Sequence, residues 1–236
     1  MKLLASDYDQ TFYLSDSGIK ENIKEVNKFM EEKNIFVLAT GRSYQDLMKV
    51  KEKYHFSYNY LVINHGATIL DKDDKILLNK TIPNHIVPEM KKHLDLEKSI
   101  SHFCCATLES RVDFTHENLT KIAVTYETKE EALTKVEEIN CLFNDALHAY
   151  YVNKNSIEIT SKLVSKEEAI SYIARISGIK EENIYTIGDG YSDINMIKNF
   201  NGYGMNSSVE EIYKNAKGIY SSVSKLIQDI RENKIR

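Results

Sequence analysis

The chain has 236 residues, which is enough for one large α/β domain or for a core with a smaller inserted domain. Its net charge of −4 gives no basic footprint, so neither nucleic acid nor an anionic membrane is an expected partner. The apolar runs are far shorter than the about 20 residues of a membrane-spanning helix. Three sparse cysteines predict reduced thiols and a cytoplasmic location.

Apolar strands and amphipathic helices alternate over the first 82 residues. The predicted elements are strands at 2–6, 35–39 and 60–64, a helix with the stripe Ile19, Ile23, Val26 and Met30, a helix at 43–54, and a hairpin at 67–82 whose polar turn is 71–75. Alternation of strand and helix predicts a parallel sheet with helices on both faces.

The pattern changes near Pro83, where strands begin to occur in pairs. The predicted elements are a helix at about 85–97, strands near 99–105, 109–114 and 121–127, a helix at 129–143 and a hairpin at 146–160. Paired strands predict an antiparallel sheet in a small α+β unit.

The alternation resumes at Ser165, which forms a predicted capping box with Glu168 at the start of a helix. A strand at 183–187, a helix at 191–199, a strand at 217–220 and a terminal helix follow. We therefore predict a Rossmann-like α/β core, with a mainly parallel sheet, formed by residues 1–82 and 161–236. Residues 83–160 form a predicted inserted α+β cap domain.

Asp7-Tyr8-Asp9-Gln10-Thr11 follows the first strand directly. Ligands of parallel sheets bind outside the carboxyl ends of the strands, so these carboxylates are expected to face that crevice. One carboxylate can attack phosphorus, and a second, protonated one can protonate the departing oxygen. An acidic turn without chemistry is the alternative at this position.

Two further turns follow apolar strands. Thr40-Gly41-Arg42 opens a helix and offers a hydroxyl and backbone N–H groups to an anion, although an ordinary helix cap would look the same. Gly188-Asp189-Gly190-Tyr191-Ser192-Asp193 carries two carboxylates on a glycine-rich turn, which suits Mg²⁺, although a helix-capping Asp turn would look the same. Lys166, at the head of a helix, is a candidate point charge on a phosphate, with a solvated surface lysine as the alternative.

Together these motifs make the chain resemble the haloacid dehalogenase superfamily and, within it, the Cof-type phosphatases of subclass IIB. The resemblance spans the whole chain, including a cap between the second and third motifs. The motifs that carry it are Asp7, Asp9 and Thr11, then Thr40, then Lys166, then Gly188-Asp189 with Asp193, supported by Asn64-His65-Gly66-Ala67 and Gly204-Met205-Asn206.

The resemblance implies phosphate monoester hydrolysis, with Asp7 as the nucleophile and Asp9 as general acid and then general base. It implies Mg²⁺ bound by Asp7, Asp9 and Asp189, with Asp193 in support. The expected phosphate-binding residues are Tyr8, Thr40, Gly41, Arg42, Lys166 and Ser192. Gln10 stands where the family usually has glycine, and Ser192 stands where Cof-type members usually have asparagine.

Other eye-catching residues are expected to be structural. Cys104 and Cys105 are adjacent on a predicted strand and point to opposite faces, so they are a poor pair of ligands for one metal ion together with His102. Packing is expected for Tyr150 and Tyr151, with stacking on a substrate as the alternative. Exposed or structural roles are expected for His65 and Arg111, which are also modest candidates for substrate contact.

The expected substrate is a small phosphorylated metabolite such as a sugar phosphate, and the expected assembly is a monomer or weak homodimer. A phosphotransferase or phosphomutase of the same superfamily is the first alternative. A phospho-accepting module of receiver type, without enzymatic activity, is a remote alternative, because receivers are about half this length and have no inserted cap.

Overall fold

The computed structural model of the chain describes residues 1–152 and 154–235, and its largest element is an eight-stranded sheet. Six strands are parallel, and the last two form an antiparallel hairpin at one edge. In spatial order the strands are β13 (Ile219–Tyr220), β12 (Asn201–Met205), β11 (Ile184–Gly188), β1 (Leu3–Ser6), β2 (Ile35–Ala39), β3 (Tyr60–Ile63), β4 (Thr68–Asp71) and β5 (Ile76–Asn79).

Helices cover both faces of this sheet because successive strand side chains point to opposite sides. On β1, Leu4 belongs to the hydrophobic cluster on one face, which a first set of three helices covers. Leu3 and Ala5 belong to the cluster on the other face, which a second set of three helices covers. The first set is α1 (Asp16–Glu31), α2 (Tyr44–Tyr54) and α8 (Val223–Arg231), and the second is α5 (Lys166–Ile176), α6 (Ile194–Asn199) and α7 (Glu210–Asn215).

A second, antiparallel sheet lies between β5 and α5 in the chain. Its strands, in spatial order, are β7 (Glu109–Val112), β6 (Ser101–Ala106), β8 (Leu119–Thr125), β10 (Ser156–Ser161) and β9 (Leu147–Val152), and its helices are α3 (Val87–Lys92) and α4 (Lys129–Leu142). The predicted α/β core with a small inserted α+β unit is confirmed. The exact domain boundaries at 83 and 160 stay a prediction.

Several local predictions need correction. The helix predicted at 85–97 ends at Lys92 and is followed by a separate 3₁₀ turn, Leu96–Lys98, because Asp95 adopts a left-handed conformation with φ of 45°. Ser165 accepts the Glu168 N–H (3.0 Å), which is half of the predicted capping box. The complete box forms instead at the start of α4.

Strand β12 was not predicted, because its sequence Asn-Gly-Tyr-Gly-Met has the composition of a turn. The structure explains why residue 202 is a glycine: a Cβ at this position would lie 2.0 Å from the Ile197 carbonyl oxygen. Close packing of α6 on the strand therefore requires glycine. Helix α7 was also not predicted.

Two residues of the predicted segments, Asn153 in the hairpin at 146–160 and Arg236 at the end of the chain, lie outside the described residues. Within the described residues, no helix is both long enough and apolar enough to cross a bilayer.

The turn after β3 places Asn64, His65 and Gly66 in succession at positive φ, of 50°, 60° and 111°. Glycine is required at the third position, because a Cβ on Gly66 would lie 2.2 Å from the Ser165 carbonyl oxygen. This turn thus packs directly against the residue that precedes α5, the helix that begins with Lys166.

Gly66→Ala should lower the free energy of unfolding by about 3 kcal/mol, because strain at positive φ adds to a collision with rigid backbone. Gly178→Ala is the matched control, since Gly178 also has positive φ (66°) but a Cβ there meets nothing within 4 Å. Its expected cost is about 1 kcal/mol. Urea unfolding of both variants measures the difference. Equal losses of unfolding free energy would show that the close contact with Ser165 does not add to the cost of a Cβ at position 66.

Candidate active site

The candidate site lies where the strand order of the main sheet reverses. Strand β1 is central, and the chain moves from β1 to β2 on one side while β11 lies on the other. The loops that follow β1, β2 and β11 therefore meet at the carboxyl edge of the sheet, which is where open α/β sheets bind ligands. Asp7 is the first residue after β1, and its N–H still donates to the Ile187 carbonyl of β11 at 3.0 Å.

Lys166 joins two of the predicted carboxylates. Its Nζ lies 2.5 Å from Asp7 Oδ1 and 2.7 Å from Asp193 Oδ1, and its side chain is 1% exposed. Burial alone would lower the pKa of Lys166, but the charges of Asp193 and Asp7 outweigh it and raise the pKa. Lys166 therefore stays an ammonium ion at the centre of the site.

Asp189 completes a group of three carboxylates with Asp7 and Asp193. Ligand oxygens from the three lie within 4.8 Å of one another. Burial raises the pKa of Asp7 well above its usual range, with Asp193 and Asp189 adding to the rise against the opposing charge of Lys166. Burial also raises the pKa of Asp189, to about 6, although Thr11 donates to its Oδ1 at 2.7 Å. Neighbouring carboxylates of this kind are stabilised by a proton or by a cation, and Lys166 already supplies one positive charge to Asp7 and Asp193.

The loop after β11 is shaped by Asp193. Its Oδ2 accepts the N–H groups of Asp189 (3.1 Å) and Gly190 (3.0 Å), while its Oδ1 faces Lys166. A Cβ on Gly188 would lie 2.5 Å from Asp193 Cγ, so glycine is needed for this close approach. Asp193 thereby fixes the direction in which Asp189 points.

The loop after β2 binds Asp9 through Arg42. The Arg42 guanidinium donates two hydrogen bonds to the Asp9 carboxylate, at 2.8 Å and 2.7 Å. The pKa of Arg42 is raised by this hydrogen bonding to Asp9. Thr40 is buried, and its Oγ1 accepts the Arg42 N–H at 3.1 Å, which shapes the turn.

Tyr8 was predicted to bind phosphate, but it does not line the crevice. Its ring is buried among aromatic side chains of the core, with the Arg42 guanidinium 5.0 Å from the ring centroid. The Tyr8 hydroxyl is buried without a hydrogen-bond partner among the described residues. Gln10, which replaces the usual glycine, adopts a left-handed conformation with φ of 61°. The turn therefore keeps the backbone shape that glycine would favour.

A cavity of about 510 Å³ brings most of the predicted residues together. Those that line it are Asp7, Asp9, Gly41, Arg42, Lys166, Asp189, Ser192 and Asp193. Thr40 and Tyr8 are the two predicted residues outside its lining.

Sequence reasoning missed two charged residues of the second sheet that also line this cavity, Lys121 and Glu158. The signal was present: each is the one charged side chain of its strand, Leu-Thr-Lys-Ile-Ala-Val-Thr for β8 and Ser-Ile-Glu-Ile-Thr-Ser for β10. His65 and Tyr150, for which structural roles were expected, line the cavity as well.

A family model described as haloacid dehalogenase-like hydrolase matches residues 4–112 and 106–225 of the chain. The match extends over most of the sequence and includes the loops that carry all four motifs. The chain therefore belongs to the haloacid dehalogenase-like hydrolases, as the motifs predicted.

Individual relatives are more distant. A 5-amino-6-(5-phospho-D-ribitylamino)uracil phosphatase of Bacillus subtilis is 25% identical over 207 residues, covering 84% of this chain and 80% of that protein. An uncharacterized protein of Mycoplasma capricolum is 27% identical over 234 residues, covering 84% of this chain and 88% of that protein.

Solved structures share the fold. A haloacid dehalogenase-like hydrolase from Bacteroides thetaiotaomicron superposes with a TM-score of 0.81 at 18% identity, covering 97% of this chain and 99% of that chain. A sugar phosphatase of subclass IIB superposes with a TM-score of 0.77 at 17% identity, covering 100% of both chains. At these identities the likeness establishes the fold alone.

Lys166→Met should lower the free energy of unfolding at pH 7 by about 3 kcal/mol, because it leaves Asp7 and Asp193 buried without their cation. Lys162→Met, at an exposed position in the same connection, is the control and should change stability by less than about 0.5 kcal/mol. Urea unfolding monitored by circular dichroism measures both. A loss below about 1 kcal/mol for Lys166→Met would mean that the carboxylates do not depend on the lysine.

Proposed function

We propose that this hydrolase is a magnesium-dependent phosphatase of small phosphate monoesters that forms a phospho-aspartate on Asp7. The observation that carries the proposal is the contact of Lys166 with Asp7 beside Asp189, at the switch point of the sheet. A buried carboxylate next to a fixed cation and a second carboxylate can attack a phosphoryl group whose charge the cations neutralise.

The donor set fits Mg²⁺. The ion prefers oxygen ligands and keeps several of its waters, so a few protein oxygens are sufficient. Asp7, Asp189 and the Asp9 carbonyl would hold it, and Asp193 would act indirectly, since its two oxygens already bind Lys166 and the loop N–H groups. When bound, the ion neutralises negative charge on the phosphoryl oxygens.

In the first step, an Asp7 carboxylate oxygen attacks phosphorus as the bond from phosphorus to the ester oxygen breaks. The ester oxygen leaves as an alcohol when it takes a proton from the Asp9 carboxyl group. Lys166, with the N–H groups of the Gly41 loop, holds the phosphoryl oxygens in line.

Asp9 must leave its pair with Arg42 and take up a proton from solution before it can act as the acid, because the guanidinium occupies both of its oxygens. The incoming phosphate is itself a dianion and competes for the same guanidinium. We therefore assign Arg42 two successive partners, Asp9 before the substrate enters and a phosphate oxygen afterwards.

In the second step, a water molecule attacks the phosphorus of phospho-Asp7. Its proton passes to the Asp9 carboxylate, and the bond from phosphorus to the Asp7 oxygen breaks. Inorganic phosphate leaves, and Asp7 and Asp9 return to their starting states, which is the order of events in a double-displacement hydrolysis.

The surroundings of this reaction are part of the proposal. Residues 83–160 are proposed as a cap domain, whose sheet covers the crevice and can exclude water from the reacting centre. The substrate is a small phosphorylated metabolite. Two buried free cysteines, Cys104 and Cys105, and one exposed free cysteine, Cys141, support a reducing, cytoplasmic compartment.

Asp7→Asn should reduce phosphate release by several orders of magnitude with the fold intact, because the amide keeps the shape of the carboxylate but not its nucleophilic charge. Asp73→Asn, in the exposed hairpin turn, is the matched control and should keep wild-type activity. Phosphate release from 4-nitrophenyl phosphate measures both. Retention of more than about a tenth of wild-type activity by Asp7→Asn would rule out Asp7 as the nucleophile.

Exhaustive chelation should abolish hydrolysis, and added Mg²⁺ should restore it, since Asp7 and Asp189 otherwise repel each other and the substrate. Isothermal titration of Mg²⁺ into the chelated protein gives an independent measurement. Heat of binding in the wild type that is lost in Asp189→Asn supports the site, whereas undiminished hydrolysis after chelation contradicts the mechanism.

A further inference from the structure

We propose that His65 is a positioning residue for the phosphatase reaction: its ring fixes the Gly41 peptide so that the Gly41 N–H faces the phosphoryl group. This role presupposes the phosphatase function and places His65 one step away from the reacting atoms, behind the loop after β2. Four features of the described residues support it: the bonding of the loop peptides, the contact of the ring with Gly41, the way in which the ring is held, and the cost of a histidine at this position.

The turn after β3 holds the loop after β2 through the main chain. The His65 N–H donates to the Thr40 carbonyl at 3.1 Å, and the Asn64 N–H donates to the Arg42 carbonyl at 3.0 Å. Because the C=O and N–H of a trans peptide point in opposite directions, the Gly41 N–H is directed away from this turn. It has no hydrogen-bond partner among the described residues, and Gly41 lines the cavity. This N–H is therefore available to a phosphoryl oxygen.

The next peptide of the loop is already bonded within the protein. The Arg42 N–H donates to Thr40 Oγ1 at 3.1 Å, and the Gly41 carbonyl accepts a hydrogen bond from Lys121 Nζ at 2.6 Å. Of the two N–H groups that follow Thr40, the one of Gly41 is thus the donor that remains for an anion. Its direction decides how well the loop holds a phosphoryl group.

The His65 ring lies against the α-carbon of Gly41. A Cβ at position 41 would lie 2.5 Å from His65 Cε1 and 2.6 Å from His65 Nε2, far inside van der Waals contact. The ring can therefore approach because residue 41 is glycine, and it leaves the Gly41 peptide no room to rotate toward it. Glycine has the greatest backbone freedom of any residue, so a neighbour must restrict it where its N–H has to point in one direction.

The surroundings of the ring hold it in place. Its Nε2 contacts Glu158 Oε2, the Tyr150 ring stacks on it at a centroid distance of 5.2 Å, and the side chain is 5% exposed. Burial lowers the pKa of His65 against the opposing charge of Glu158, so the ring is neutral. Burial raises the pKa of Glu158, but Lys121 and His65 outweigh it and lower the pKa to about 2. The ionised Glu158 can only accept, so the proton of the neutral ring lies on Nε2.

Histidine is retained at this position at a cost to stability. Its backbone is left-handed, with φ of 60°, which is strained for a residue with a Cβ. Its Nδ1 is buried without a hydrogen-bond partner among the described residues, a cost that an apolar side chain would avoid. Strained backbone and unpaired buried polar atoms are concentrated at functional sites, where the surrounding contacts hold them in place.

The variant His65→Asn removes the ring at little cost to the backbone, since asparagine tolerates a left-handed conformation but lacks Cε1 and Nε2. With Mg²⁺ and the full chain, kcat/KM should fall by about 10- to 100-fold. The factor should be the same for 4-nitrophenyl phosphate and glycerol 1-phosphate, because the phosphoryl group is common to both. The Ki of inorganic phosphate as a competitive inhibitor should rise by about tenfold, because the phosphate loses the same N–H.

His55→Asn is the matched control, because His55 is also left-handed (φ of 54°) but is exposed at the end of α2. It should leave kcat/KM and the Ki unchanged. A lower kcat for His65→Asn with an unchanged Ki would mean that His65 is merely structural and would overturn the proposed role. Wild-type kinetics, or a loss confined to one ester, would overturn it as well. Absence of phosphate release by the wild type from both esters would instead overturn the phosphatase function.

A double-mutant cycle tests the contact between the ring and Gly41. Gly41→Ala places a methyl group where the ring lies, so kcat/KM should fall by at least about 100-fold. In the His65→Asn background the same substitution should cost at least about tenfold less, because the colliding ring atoms are gone. His65→Gln, which replaces the rigid ring with a flexible chain, provides a second background with the same expectation. Equal costs of Gly41→Ala in all backgrounds would show that the ring does not restrict the loop.

Discussion

The site depends on one interaction, the burial of the Lys166 ammonium between Asp7 and Asp193. Burial of charged groups is costly, and the cost is offset here because the ammonium group bonds to both carboxylates while the second oxygen of Asp193 accepts two loop N–H groups. The fold supplies these partners from three separate segments: the end of β1, the start of α5 and the loop after β11. The position of the lysine is in turn set by the Gly66 turn, which packs on the residue before it. Precise docking of α5 on the turn after β3 is thus a condition for the catalytic geometry.

The second sheet meets the same crevice from the opposite side with different chemistry. The core side presents carboxylates and cations suited to a phosphoryl group, whereas the other side presents one ion pair between aromatic rings. This division matches a reaction in which one end of the substrate is constant and the other end varies. It also explains why β8 and β10 each contain one charged residue, since one face of the sheet packs on helices and the other faces a polar cavity.

The sequence predicted the parallel core and the carboxylate motifs well, because both depend on local patterns. Buried parallel strands give short apolar runs, and Asp7 and Asp189 directly follow two of them. Strand β12 was missed, because its glycines reflect the approach of α6, which is a tertiary contact. The pairing of Arg42 with Asp9, 33 positions apart, could not be predicted either, since it depends on how two loops meet. Lys121 and Glu158 were missed because register between β8 and β10 decides that they are neighbours.

The bond between Lys121 Nζ and the Gly41 carbonyl has a consequence for how this protein can diverge. An inserted domain is often regarded as an exchangeable module, because its own core folds independently of its host. Here a side chain of the insertion completes the bonding of a loop in the host. A chimera that receives the insertion of a relative would need a long cationic side chain at the same place in its sheet, or the loop after β2 would lose a contact. Substitutions at Lys121 and in the loop after β2 are therefore expected to occur together during evolution.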